Sequence, residues 1–193
     1  MIERKFRLVP FPAPEIPEIS LSGTFTFAQH FLTLQYCLSG NLESVRLPPT
    51  SPMPGRRDEL WKETCFEFFL AIKDRPDYWE FNLSPSGDWN VYRMDAYRRI
   101  GFREETAISQ LPFEFRKGTD GYSMDAYVDL ASIIESGHEL QMAVTAILQA
   151  CDGKETYWAL AHPAPQPDFH AREGFILPLE GQTHPWAGSA PDG

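Results

Sequence analysis

Trp61-Lys-Glu-Thr-Cys-Phe-Glu-Phe-Phe-Leu70 and Tyr78-Trp-Glu-Phe-Asn-Leu-Ser-Pro-Ser-Gly-Asp-Trp-Asn-Val-Tyr92 are two aromatic-rich runs joined by the polar connection Lys73-Asp-Arg-Pro-Asp77. Successive side chains of a strand point to opposite sides of a sheet. Trp79, Phe81 and Leu83 therefore face one way, and Glu80, Asn82 and Ser84 the other. Carboxylates and amides at strand spacing among large apolar residues describe a sheet with one core face and one face able to bind. Pro85-Ser-Gly87 turns the chain into a third run, Asp88 to Asp95, so the spacing predicts three adjacent antiparallel strands.

Working outward, Thr24 to Ala28 and Phe31 to Leu38 read as a hairpin, with Leu32, Leu34, Tyr36 and Leu38 on one face. Leu47 to Asp58 holds four prolines and a glycine and reads as a surface loop, of the kind that carries function on a rigid scaffold. Further strands are predicted at Phe113 to Arg116, Gly121 to Asp129, Leu140 to Gln149, Glu155 to His162 and Phe175 to Leu179, with one or two helical turns at Leu130 to Ser136. The series predicts an all-β fold: an antiparallel two-sheet β-sandwich of about ten strands, in jelly-roll or immunoglobulin-like order. Residues 1–18, with four prolines between Pro10 and Pro17, read as an extended N-terminal segment, 19–179 as the sandwich domain, and 180–193 as a flexible tail rich in Gly and Pro.

At 193 residues the chain fits one all-β domain, and 42% hydrophobic residues suffice for a core. Lys and Arg total 17 against 27 Asp and Glu, a formal charge of -10, so nucleic acid and anionic lipid meet net repulsion. Cys37, Cys65 and Cys151 lack CxxC spacing and read as buried, reduced thiols rather than a disulfide framework or zinc site. The basic start is not followed by an apolar run, and no segment approaches the ~18 apolar residues of a membrane span. These features predict a cytoplasmic protein, monomer or homodimer, with neither a nucleic-acid nor a membrane partner.

Sorting alternate positions separates a core set from a polar set of Cys65, Glu67, Glu80, Asn82, Asn90, Tyr92, Asp125, Tyr127, Gln141, Thr145 and Gln149. Such a face is either ordinary solvated surface or a ligand face. Glu67 lies between Phe66 and Phe68, where an unpaired carboxylate is costly. A second constellation, Trp158-Ala-Leu-Ala-His162-Pro-Ala-Pro-Gln-Pro-Asp168-Phe-His170, puts two imidazoles and a carboxylate in a proline-stiffened loop. His and Asp are competent ligands for zinc or iron although the spacing matches no metal signature, so metal binding, ligand contact and loop-anchoring hydrogen bonds are the three readings of this loop. Glu67 and Glu80 on neighbouring strands could also form the carboxylate pair of a glycosidase, and Cys65 with His162 or His170 a thiol–imidazole pair. There is no Gly-x-Ser-x-Gly elbow or nucleotide fingerprint.

Leu60-Trp-Lys-Glu-Thr-Cys-Phe-Glu-Phe-Phe-Leu70, Tyr78-Trp-Glu-Phe-Asn-Leu-Ser-Pro-Ser-Gly87, Tyr97-Arg98 and Tyr157-Trp-Ala-Leu-Ala-His-Pro163 with Pro167-Asp-Phe-His170 together resemble the DOMON-like superfamily of β-sandwiches, over roughly Trp61 to Leu179. That superfamily includes the family 9 carbohydrate-binding modules and cytochrome domains that hold haem. The resemblance implies a ligand pocket on one sheet and a non-catalytic small-ligand-binding role, most simply for a sugar. It makes Trp61, Trp89 and Trp158 candidate sugar platforms and Glu80, Asn82 and Arg98 polar contacts. With Glu67, Tyr92, His162, Asp168 and His170 these are the candidate ligand-binding residues; neither a catalytic residue nor a metal ligand is assigned. No cofactor is expected. The alternative is a haem-binding redox module, with Met94 or Met142 and His162 or His170 as axial candidates.

Overall fold

The computed structural model describes residues 1–98 and 100–179, so the predicted tail at 180–193 lies outside the described residues. Among these, thirteen strands follow in chain order: β1 (Ile2–Arg7), β2 (Val9–Pro10), β3 (Ile19–Ala28), β4 (Phe31–Gly40), β5 (Cys65–Ile72), β6 (Tyr78–Leu83), β7 (Trp89–Met94), β8 (Arg103–Glu104), β9 (Phe113–Lys117), β10 (Tyr122–Asp129), β11 (Leu140–Gln149), β12 (Glu155–Ala159) and β13 (Leu177–Leu179). They form an antiparallel two-sheet sandwich. The small sheet runs β1-β3-β4-β10-β9, and the large sheet runs β2-β12-β11-β5-β6-β7-β8 with β13 beside β12 on the free edge of β11. The stretch Leu130 to Ser136 forms a single turn without helix, its Ile133 and Ile134 amides donating to Leu130 O.

The small sheet is buried on one side only. In β3, Leu21, Phe25 and Phe27 point inward while Ser20, Ser22, Thr24 and Thr26 do not, and β4 repeats this with Leu32, Leu34, Tyr36 and Leu38. The large sheet differs because β5 and β6 are buried along their whole length. Phe66, Phe68, Leu70, Trp79, Phe81 and Leu83 close the inter-sheet core, where the Phe68 and Phe81 rings stack at 4.2 Å. The opposite side carries a second apolar cluster of Phe69, Ala71, Tyr78, Tyr92, Met94, Ala143 and Phe175. Something covers the outer face of this sheet, and that cover builds the site.

Two expectations change. Residues 2–10 are not a detached segment: β1 pairs with β3 in one sheet, β2 pairs with β12 in the other, and Leu8 between them is 2% exposed. Pro10 is tolerated because β2 is an edge strand, where the missing N–H faces away from any partner. Cys65 is buried, but Cys37 and Cys151 are exposed: Cys37 falls on the solvent parity of β4, and Cys151 lies in the turn after β11.

Candidate functional site

Register converts the outer face of the large sheet into rows. Thr145 of β11, Glu67 of β5, Asn82 of β6 and Asn90 of β7 are cross-strand partners in sequence, forming a polar row across four strands. The adjacent row is Ala143, Phe69, Glu80 and Tyr92. On the other side Cys65 pairs with Ile147, and Ile147 with Tyr157 of β12. Cross-strand neighbours on one face stand close enough to interact directly, so the alternation of three sequence segments delivers one mixed floor.

Three segments arch over that floor. The first ends in a short 3-10 helix, Leu60–Lys62, and brings Asp58, Glu59 and Trp61. The second follows β7 and brings Tyr97, Arg98, Ile100 and Phe102; it turns through Gly101 at φ +69°, where a Cβ would strike the Asp95 carboxylate. The third, Pro167 to His170, comes from the proline-rich loop. Between them and the sheet lies a cleft of about 1100 Å³ whose inner lining includes Glu67, Phe69, Glu80, Ile147 and Tyr157.

The second and third segments meet across the mouth. Tyr97 donates its hydroxyl hydrogen to Asp168, Arg98 Nη2 lies 3.1 Å from Asp168 Oδ1, and Arg98 Nε donates to Tyr97 Oη at 3.1 Å. Asp168 Oδ1 also accepts the His170 amide at 3.1 Å. Arg98 adopts a left-handed backbone (φ 47°), and its amide donates to Tyr78 Oη at 3.1 Å. Tyr78 Oη lies 2.9 Å from His170 Nδ1, and His170 Nε2 lies 4.0 Å from Glu80 Oε2. Strained backbone held by several contacts is a recurrent property of functional segments. On the opposite wall Tyr92 donates to Asp58 Oδ1 at 2.5 Å, packs edge-on against Trp61 and stacks on Phe102 at 4.8 Å.

The electrostatics of the floor follow from burial. Glu67 and Glu80 are 2% and 5% exposed. Desolvation, reinforced by the neighbouring Glu80 charge, pushes the Glu67 carboxyl well above the ordinary carboxylate range, against weaker opposing bonds from Thr145 and Cys65. Desolvation likewise pushes Glu80 up to about 7, opposed by the Asn82 amide, which donates to Glu80 Oε1 at 2.8 Å. Thr145 Oγ1 sits 3.5 Å from Glu67 Oε2, while Glu67 Oε1 is buried with no hydrogen-bond partner. An orphaned buried carboxyl oxygen costs roughly 1 to 3 kcal/mol or more, and this one is at the bottom of a cleft. Burial raises the Tyr78 hydroxyl to about 12 and raises the Cys65 thiol, which argues against a reactive thiolate there.

The structure gathers Trp61, Glu67, Glu80, Arg98, Asp168 and His170 around the cleft. Asn82 and Tyr92 hold its walls through Glu80 and Asp58. It excludes the other three candidates. Trp89 and Trp158 point into the inter-sheet core, Trp89 beneath the Arg56 guanidinium at 4.5 Å and Trp158 donating to Thr156 Oγ1 at 2.9 Å. Their strand parity sends Asn90 and Tyr157 outward instead. His162 lies 2.9 Å from Val9 O and edge-on against Phe11, away from the cleft. Phe69, Tyr97, Phe102, Tyr157 and Phe169 are lining residues that the sequence reading did not single out. Tyr157 was within reach of it, because it has opposite parity to the apolar Trp158 on one strand.

No family model matches the chain, and no curated protein matches it. Among solved structures, the chain is similar to a "putative carbohydrate-binding protein" from Bacteroides uniformis, at 12% identity with a TM-score of 0.65, covering 89% of this chain and 84% of that one. Two structures of a family 9 carbohydrate-binding module from Caldicellulosiruptor kristjanssonii also align. The cellotriose complex has a TM-score of 0.49 at 12% identity, covering 76% and 68% of the two chains. The glucose complex has a TM-score of 0.44 at 13% identity, covering 76% and 69%. The Bacteroides likeness shows a shared sandwich fold.

Proposed function

We propose that this chain is a non-catalytic carbohydrate-binding domain of the DOMON-like kind, taking its sugar in the cleft over the outer face of the large sheet. One observation carries the reading: Glu67, on the cleft floor, has a carboxyl oxygen that is buried and unpartnered. A sugar hydroxyl supplies the missing partner, and the rings of Trp61, Tyr97, Phe102, Tyr157 and Phe169 offer flat apolar faces to its C–H groups. The fold shared with a protein named for carbohydrate binding supports it. Haem gains no such support: Met142 lies between the sheets and His162 bonds outside the cleft, while Met94 is packed in the outer apolar cluster and His170 is held beside Tyr78 and Glu80.

Of the tryptophans among the described residues, Trp61 alone lines the cleft. Titration with a panel of mono- and disaccharides is therefore expected to give a saturable change in tryptophan fluorescence that disappears in Trp61→Phe. Silence across the panel, or a response unaltered by that substitution, overturns the reading. A glycosidase is the second reading, favoured by two buried carboxyls facing one cleft. It requires that Glu67→Gln and Glu80→Gln each abolish turnover of a chromogenic glycoside while leaving the fold intact.

A further inference from the structure

The charges around the cleft are unbalanced. Asp58, Glu59, Glu67, Glu80 and Asp168 line it, against Arg98 and His170. Arg98 is committed to Asp168 and Tyr97, and Glu59 takes the Lys62 ammonium at 2.5 Å. On the floor, Glu67 and Glu80 are diagonal neighbours on adjacent strands, which sets their Cβ atoms at roughly 7 Å. The His170 imidazole stands 4.0 Å from Glu80 Oε2, and Glu67 Oε1 is the buried oxygen without a partner. An anionic sugar or a phosphate entering here meets Asp58 and a floor that could accept it only with both carboxyls kept protonated. A neutral sugar satisfies Glu67 but leaves two carboxyls facing one another in a poorly solvated place. A ligand ammonium removes both costs, because a cation bridging two buried carboxyls gains in the low local dielectric what it loses in hydration.

Resting on the reading of the cleft as a sugar site, we propose that its preferred ligand is an amino sugar, a hexose bearing a protonated primary amine, with the ammonium seated between Glu67 and Glu80. The aromatic walls then hold the ring, and the Tyr97–Arg98–Asp168 clasp, tied through His170 to the Glu80 side of the floor, stands over it. Seating the ammonium favours the charged carboxyls, so binding expels protons from the floor into solution. The groups facing the pair are Cys65 on β5, Tyr78 on β6, Tyr36 from the small sheet, Tyr157 from β12, and His170, Arg98, Asp168, Asp58 and Glu59 from the covering segments.

Calorimetric titration near neutral pH with glucosamine, glucose and N-acetylglucosamine tests this. Glucosamine is expected to bind at least about tenfold more tightly than the other two, a difference of about 1.4 kcal/mol. Its binding heat should depend on the buffer's ionisation enthalpy, as proton release demands, whereas that of glucose should not. Glu67→Gln and Glu80→Gln, each shown to be folded by circular dichroism, should narrow the preference to about threefold or less. Equal affinities for glucose and glucosamine, or a preference unmoved by both substitutions, overturn the amine assignment and leave the sugar reading standing. Failure of all three sugars to bind overturns the amine assignment, and the sugar reading falls only if the wider panel of mono- and disaccharides is silent as well.

Discussion

Glu80 shows how one buried carboxyl ties the cleft to the stability of the fold. Its native pKa of about 7 exceeds its ordinary 4.5 because burial penalises the charge more than Asn82 relieves it. Between those values the folded chain keeps a proton that the unfolded chain has released, so stability is full below pH 4.5 and is lost as pH rises through 7. Urea unfolding across that window is expected to show a decline of at least about 1 to 3 kcal/mol, and because Glu67 is pushed upward by burial as well, Glu80→Gln should shrink the decline while Glu67→Gln/Glu80→Gln should flatten it. A wild-type stability that rises across the window would contradict this account. Legibility at this scale was uneven for a physical reason. Glu67 announced itself because a carboxylate between two phenylalanines is costly, and Glu80 and Asn82 followed by alternation. Trp89 and Trp158 misled because a large ring suits a core as well as a platform, and only parity relative to a neighbouring strand separates the two.

Among the elements, the proline-rich loop before β5 depends on Arg56. Its guanidinium donates to Asn90 Oδ1 at 2.6 Å, Glu105 O at 3.0 Å and Ile108 O at 2.5 Å, and lies over the Trp89 ring. It pins the loop after β8 and the β7 edge to the segment that presents Asp58 and Trp61. Arg56→Ala strands three acceptors and is expected to cost about 2 to 3 kcal/mol, lowering Tm by roughly 5 to 10 °C in a scanning calorimeter. In the small sheet, a Cβ at Gly23 would lie 1.9 Å from Gln35 O and 2.5 Å from the Phe6 ring. Gly23→Ala must push β3 from β4, so a loss of more than about 3 kcal/mol is expected, against less than about 0.5 for the neighbouring Ser22→Ala. The strands themselves were readable from period-two alternation and turn residues. The cover was not, since Tyr97, Phe102 and Phe169 sit in irregular segments where no periodicity tells inside from outside.

Across the whole molecule, one side of the sandwich is a plain solvated sheet and the other is a floor roofed by loops from three distant parts of the chain. Asp168 clasps two of them. Asp168→Ala should leave the β5 and β6 amides protected in hydrogen exchange while the Arg98 and His170 amides exchange at least about tenfold faster. Uniform acceleration would instead mean global destabilisation. The sandwich class could be read from the sequence because many short alternating runs allow little else. Which strands pair across the chain could not: β4 with β10, β5 with β11 and β2 with β12 join segments far apart in sequence, and alternation carries no information about such partners.

The placement of β11 between β5 and β12 also sets a timetable. As the ribosome releases the chain, β5 to β7 emerge early, but the strand that covers the free edge of β5 begins roughly seventy residues after β5 ends, several seconds later at ordinary synthesis rates of about 5 to 20 residues per second. Until then Cys-Phe-Glu-Phe-Phe-Leu-Ala-Ile, the most apolar strand of the protein, waits with one row of backbone donors and acceptors open. Thr145, Ile147, Tyr157 and the 167–170 loop come late in the chain, so a half-made chain lacks part of the floor and one of the three roof segments of its cleft. Capture of a ligand thus certifies that β11 has taken its place beside β5.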